Sequence, residues 1–392
     1  MATLLLVVIY LSFISLGVPD SLLGTAWPVL YRELGVPLAS QSAVSILCSL
    51  ATMTSSMNSA RIISHLGTGK VTAFSTLLTA AALLGFSFSG SFWFMCLMAI
   101  PLGLGAGCVD SALNNYVSIH YNATVMSFLH CFYGVGVMVS PYIMSVVINS
   151  AVGWRGGYRT ASLIQALISI LLLALPLWKK AHGEESIQAE KKMKVLPISQ
   201  TLRIPGALMT CLLFLTFCAI EVICGGWSAT YMVEAKHMSA NLAARATMYF
   251  YLGMALGRFL SGVAAKKLTP WQIIFISMGI LGVSQTTLLV SGNNVLTMAA
   301  LLMTGLGVGP LYPNFNYMTP LHFGKDVSQS VMGMQMTFAS IGTIAAPALC
   351  GVLGQLLGMG IFPAYLMIFY VLTAVGIIAL RRTLRQVGRL QQ

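Results

Sequence analysis

Twelve times along its 392 residues the chain reads as an apolar run of about 20 residues or more, set off by short polar punctuation. A run of that length matches the hydrocarbon thickness of a bilayer. Once there, the backbone has no water to bond to and must satisfy itself as helix. The runs fall near residues 3–31, 41–64, 70–90, 92–118, 124–149 and 158–178, then 204–231, 242–264, 271–291, 295–318, 328–356 and 361–380. With 57% hydrophobic and only 8% charged residues, the chain is excluded from the soluble multidomain enzymes. The expected class is an all-α integral membrane protein.

The net charge of +12 would suit nucleic acid only if Lys and Arg gathered on a soluble face beside aromatics. They lie instead in the gaps between apolar runs. If the N-terminus is cytoplasmic, sixteen of the twenty-one Lys and Arg fall on the cytoplasmic side, Arg61, Arg258, Lys266 and Lys267 among them. Arg32, Arg155, Arg159, Lys236 and Arg245 are left opposite. Both termini are therefore predicted cytoplasmic, in the inner (plasma) membrane of a cell, and no nucleic-acid partner is needed. The first apolar run, with no basic residue before Arg32, reads as a retained helix rather than a cleaved signal. Eight cysteines without a CxxC pair indicate neither a disulfide framework nor a zinc site, and no cofactor is expected.

The only long hydrophilic stretch, Lys179 to Arg203, divides the runs six and six. The expected organisation is a six-helix bundle over 1–180, a linker over 181–203, a second bundle over 204–382 and a basic tail over 383–392. The two sets echo one another. Gly103-Leu104-Gly105-Ala106-Gly107 leads to Asn114 and Asn115, and Gly305-Leu306-Gly307-Val308-Gly309 leads to Asn314 and Asn316, with an offset of 202 aligning Asn114 and Asn316. Asp20 followed by Gly24 and Trp27 matches Glu221 followed by Gly225 and Trp227, and an offset of 201 aligns the acids. Gly134, Gly136 and Pro141 match Ser340, Gly342 and Pro347 more loosely. With no strand before it, Gly103-x-Gly105-x-Gly107 reads as close helix packing rather than a nucleotide loop.

Twelve spans in two similar halves around a charged linker resemble the major facilitator superfamily over the whole chain. The superfamily's cytoplasmic loop signature is degenerate at Ala60 to Lys70, where its Asp is missing, and closer at Gly257-Arg258-Phe259-Leu260-Ser261-Gly262 with Lys266 and Lys267. The resemblance implies a major facilitator fold and transport by alternating access, without enzymatic activity, in a chain that works as a monomer.

Three acids fall within spans: Asp20, Asp110 and Glu221. A charge at the centre of a span costs about 2.5–3.5 kcal/mol on insertion scales, so such residues usually face water and serve transport. All three, with His130 as a relay to Asp110, are candidate proton-coupling groups. Acids in the first and fourth spans resemble those of the L-fucose and hexose proton symporters, which implies a proton-coupled monosaccharide symporter with Asp20 and Asp110 in those places. Amides suit a polyhydroxylated substrate, as does an aromatic ring. The substrate-binding candidates are Trp27, Asn114, Asn115, Trp227, Tyr312, Asn314, Asn316 and Gln335, with Gln165 and Gln285 as further amides. Trp27 shares a helical face with Asp20, whereas Trp227 turns away from Glu221. Pro19, Pro310 and Pro313 are expected to kink helices beside the cavity. An alternative function is proton-driven efflux of drugs or metabolites, because Gly134 to Pro141 partly resembles the fifth-span antiporter motif, with Ser140 where that motif has Gly.

Overall fold

The computed structural model describes residues 2–120, 123–174 and 198–388. Its helices are α1 (Ala2–Asp20), α2 (Leu22–Glu33), α3 (Gln41–Leu66), α4 (Thr68–Ser87), α5 (Phe92–His120), α6 (Ala123–Val147), α7 (Trp154–Ala174) and the short α8 (Ile198–Leu202). They continue as α9 (Ala207–Glu234), α10 (Ala240–Ala264), α11 (Pro270–Val290), α12 (Asn294–Val308), α13 (Leu311–Phe323), α14 (Lys325–Leu357) and α15 (Phe362–Gln386). The first and tenth apolar runs are each broken in two, so α1 with α2 and α12 with α13 make single crossings. The result is the expected twelve crossings in two sets of six.

Ten of the crossings are long and apolar enough to qualify as membrane spans on composition alone. The other two, α3 and α10, are long enough but too polar. Hydroxyls and amides crowd α3 at Ser45, Ser49, Thr52, Thr54, Ser55, Ser56, Asn58 and Ser59, and α10 carries Asn241, Arg245 and Arg258. Hydroxyls are tolerated because each can return its hydrogen to a carbonyl one turn back, as Thr52 does to Cys48 at 3.0 Å and Thr54 to Leu50 at 2.8 Å.

By contacts, residues 1–186 with 232–248 form one compact unit, and 187–231 with 249–392 form another. The expected linker falls for the most part outside the described residues. In the first unit, Leu5, Ile9, Phe13 and Leu16 of α1 pack on Val109, Leu113 and Val117 of α5 and Leu129 of α6. In the second, Phe217 of α9 stacks on Phe315 of α13 with centroids 5.8 Å apart, and Tyr231 stacks on Phe362 at 4.8 Å. Leu163, Leu167 and Ile170 form an exposed apolar stripe on α7, as Ile368, Leu372 and Val375 do on α15. Such stripes are at home against hydrocarbon.

Glycines set the closest approaches, and they do so the same way in both units. A Cβ at Gly103 would come closer than 3.0 Å to the Cys48 carbonyl, joining α5 to α3, and one at Gly305 would do the same to the Phe250 carbonyl, joining α12 to α10. Gly136 leaves room only for the Ile14 carbonyl, and Gly342 only for that of Leu215, six residues before Asp20 and Glu221 respectively. The sequence echo is thus an echo of backbone packing.

Prolines account for the polar contacts that tie α1 down. Pro19 has no N–H for the Ser15 carbonyl four residues earlier, and the buried Gln165 side chain of α7 donates to that carbonyl instead. Pro141 likewise orphans the Val137 carbonyl, which accepts from Ser21 Oγ at 2.7 Å, at the turn that separates α1 from α2. Ser140 donates in return to the Val18 carbonyl. Gln165 is thus a structural amide. Replacing it with Leu strands a buried carbonyl, at an expected cost of about 1–3 kcal/mol. In a Pro19→Ala background, where an N–H is restored, the same change should cost markedly less, as thermal unfolding in detergent micelles would show. Equal losses in both backgrounds would separate Gln165 from the proline.

Candidate transport site

Five acidic side chains are described within the helices, and they divide by what partners them. Glu33 pairs with Arg155 and accepts from Trp154 Nε1 at 2.6 Å. Glu234, which belongs by contacts to the first unit, pairs with Arg32 at 2.7 Å and accepts from Tyr31 Oη at 2.7 Å. Glu221 pairs with Arg258 at 3.3 Å. Asp20 and Asp110 have neutral partners only.

Asp20 ends α1, and Tyr133 Oη of α6 donates to its Oδ2. The carboxylate is exposed on the surface of its unit. Asp110, half-buried in α5, accepts from Asn114 Nδ2 at 2.8 Å, one turn along the same helix. Among the described residues neither acid has a cation within ion-pair distance. A group held this way takes up and releases a proton without breaking a salt bridge. His130, the candidate relay, is exposed, its ring edge-on to Phe13 at 6.0 Å.

In the second unit Glu221 of α9 meets Arg258 of α10 through one guanidinium nitrogen, Nη2, at 3.4 and 3.3 Å from its two oxygens. The sequence counts Arg258 with the charge of the cytoplasmic side, in the stretch that resembles the loop signature. It lies within α10, and Glu221 is therefore a paired charge rather than an isolated carboxylate.

Four residues expected to meet substrate are instead buried, with polar groups satisfied by the protein. Trp27 is fully buried and donates Nε1 to the Leu38 carbonyl at 2.8 Å. The break at Ser21 interrupts the face it was expected to share with Asp20. Trp227 donates to the Pro347 carbonyl at 2.8 Å. Asn314 bonds to Ser261 Oγ at 2.8 Å and to the Pro310 carbonyl at 2.7 Å. Gln335 is bonded to Thr210 at 2.8 Å and to Thr319 at 3.0 Å. Gln285 holds Thr304 at 3.2 Å. These amides join helices, as amides in membranes commonly do.

Three candidates remain partly accessible: Asn114 beside Asp110, Tyr312 with its ring 5.5 Å from Phe214, and Asn316, whose buried Oδ1 has no partner among the described residues. The side chain of Asn115 lies outside the described residues. Two residues that matter here were not singled out from the sequence. Tyr133 could have been found from its position three residues before Gly136, on the face that packs against α1. Arg258 counts from sequence only as cytoplasmic-side charge, because it precedes the basic pair Lys266 and Lys267.

The chain matches the model of the Major Facilitator Superfamily over residues 9–249 and 209–389. It is 22% identical over 389 residues to "Bypass of stop codon protein 6" of Saccharomyces cerevisiae, covering 90% of this chain and 77% of that one. It is also 22% identical over 291 residues to "Glucose/mannose transporter GlcP" of Bacillus subtilis, covering 71% of each. Among solved structures, a bacterial homologue of the human lysosomal transporter Spinster superposes with a TM-score of 0.77 at 10% identity, covering 100% of this chain and 98% of that one. The nucleoside transporter NupG superposes at 0.74 and 13% identity, covering 96% and 98%. The chain belongs to the major facilitator superfamily, a multi-pass membrane transporter rather than an enzyme.

Proposed function

We propose that this transporter imports a monosaccharide together with protons, and that Asp20 and Asp110 carry the protons. The observation behind this reading is the division of the acids: three have a cation within reach, whereas these two have only Tyr133 and Asn114. A carboxylate without a counter-cation inside a membrane protein is stable when protonated or when water reaches it, so its occupancy by a proton can differ between the two faces of the transport cycle. Sugar that binds the protonated form better shifts the cycle in its favour, since a ligand moves an equilibrium only through differential affinity.

The similarity to a glucose/mannose transporter supports the substrate class. In the second unit, Tyr312 and Asn316, both partly accessible, are the groups proposed to bond sugar hydroxyls. The Lys and Arg bias supports both termini facing the cytoplasm of an inner-membrane protein. Uptake of a labelled monosaccharide panel, glucose, mannose and fucose included, into proteoliposomes with and without an inward proton gradient tests the proposal. Accumulation of one sugar only when the gradient is present is the expected result. Absence of uptake by protein shown to be folded and correctly oriented would overturn it and point to proton-driven export.

A further inference from the structure

We infer that Arg258 and Glu221 of the second unit together form a sugar subsite that binds two adjacent hydroxyl groups of a neutral substrate, an inference that rests on the monosaccharide reading above. The geometry of the pair is the reason. A charge-assisted contact between a guanidinium and a carboxylate normally closes to about 2.7–2.9 Å and is often two-pronged. Here one nitrogen stands 3.3 and 3.4 Å from the two oxygens, and among the described residues nothing else accepts from the remaining N–H groups of Arg258. The two side chains retain 18% and 25% of their surface, so a ligand can reach both.

This unit makes its structural polar contacts differently. Gln335 is fully buried, with its amide hydrogens held by Thr210 and Thr319 at 2.8 and 3.0 Å. Among the described residues the remaining N–H groups of Arg258 have no other acceptor, so an incoming one can take them. Its surroundings suit that role. The backbone of α10 at Arg258 runs against Gly309, and Gly257 runs against Pro310, at the break between α12 and α13. Broken helices border binding sites in transporters of this general kind.

The charges select the chemistry of the ligand. An anion would be repelled by Glu221 and a cation by Arg258. A hydroxyl both donates and accepts, so of two neighbouring hydroxyls one donates to the Glu221 carboxylate while the other accepts from Arg258. A site built to bond a hydroxyl rejects the analogue lacking it strongly, because its own polar groups are then left unpaired.

The test is counterflow exchange of labelled glucose and mannose by the full chain in proteoliposomes, which needs no proton gradient, with competition by the monodeoxy sugars. In the wild type, deoxygenation at two neighbouring positions should weaken competition by about tenfold or more. Arg258→Lys and Glu221→Gln should each raise the half-saturation concentration by a similar factor and should remove the penalty at one of those two positions. Glu221→Asp, which keeps the charge, serves if Glu221→Gln does not yield folded protein. Variants that keep the wild-type ranking of deoxy sugars, or a charge-swapped Glu221→Arg, Arg258→Glu protein with wild-type half-saturation, would make the pair a structural strut and overturn the inference. Absence of any hexose exchange by the wild type would overturn the monosaccharide reading and the inference with it.

Discussion

Asp110→Asn should abolish accumulation of sugar driven by an inward proton gradient while exchange of sugar across the same membrane persists. With one proton per sugar, a gradient of one pH unit sustains about tenfold accumulation, because one unit is worth about 1.4 kcal/mol. The variant should show none. The substitution is conservative in geometry, since the Asn carbonyl can still accept from Asn114 Nδ2, which now reaches Oδ1 at 2.8 Å. What it removes is the ability to change charge. A permanently neutral side chain mimics the protonated carboxyl, so the loaded form of the cycle still runs in both directions, but no proton is carried with it. Asp20→Asn should behave similarly, and Tyr133→Phe more mildly, by freeing the carboxylate from its one hydroxyl donor. The same exchange and accumulation assays apply to all three variants. An Asp110→Asn protein that accumulates sugar as the wild type does would remove Asp110 from coupling and leave Asp20 as the carboxylate without a cation.

The two units answer the same sequence echo with different chemistry. Asp20 and Glu221 are aligned, and each follows by six residues a carbonyl covered by a glycine of a neighbouring helix, Ile14 under Gly136 and Leu215 under Gly342. From that shared position Asp20 meets a phenol and Glu221 meets a guanidinium. The repeat fixes where the acid sits; the neighbouring side chain decides what the acid does.

How far each feature was legible follows from the range over which its cause acts. Apolar runs reveal crossings because spanning is a property of each segment by itself. Matched glycines reveal packing because only a missing side chain allows backbones that close. Helical spacing placed Trp27 beside Asp20 but carried no information about the turn at Ser21, which is held by the orphaned Val137 carbonyl of another helix. Spacing also could not say which amides find partners. Asn314 and Gln335 do, through Ser261, Thr210 and Thr319, residues distant in sequence. Arg258 counts from sequence only as cytoplasmic-side charge, because composition does not record that a long side chain can pair with a carboxylate 37 residues earlier.

Gly305→Leu should prevent recovery of folded protein, and Gly305→Ala should lower the unfolding temperature well below that of the wild type. The glycine lies where α12 crosses α10. A Cβ there would approach the Phe250 carbonyl oxygen closer than 3.0 Å, and a backbone atom cannot swing aside as a flexible side chain does. The helices must separate instead, which also strips contacts from Gly253, whose own Cβ would overlap the Leu302 carbonyl across the same crossing. Overpacking of this kind typically costs about 1–3 kcal/mol and sometimes more, and the same Cβ would also come closer than 3.0 Å to the Met254 backbone nitrogen. Gly279→Ala supplies the contrast. It sits on α11 with nothing within 4 Å of the added methyl, so its unfolding temperature should be unchanged or slightly raised, an Ala being preferred to Gly in a helix by roughly 0.5–1 kcal/mol. Because Gly103 holds α5 to α3 as Gly305 holds α12 to α10, Gly103→Ala should destabilise to a similar degree. Thermal unfolding of the purified variants in one detergent measures all three. A Gly305→Ala protein as stable as Gly279→Ala would mean that the crossing tolerates separation and that the repeated glycines are not what holds each unit together.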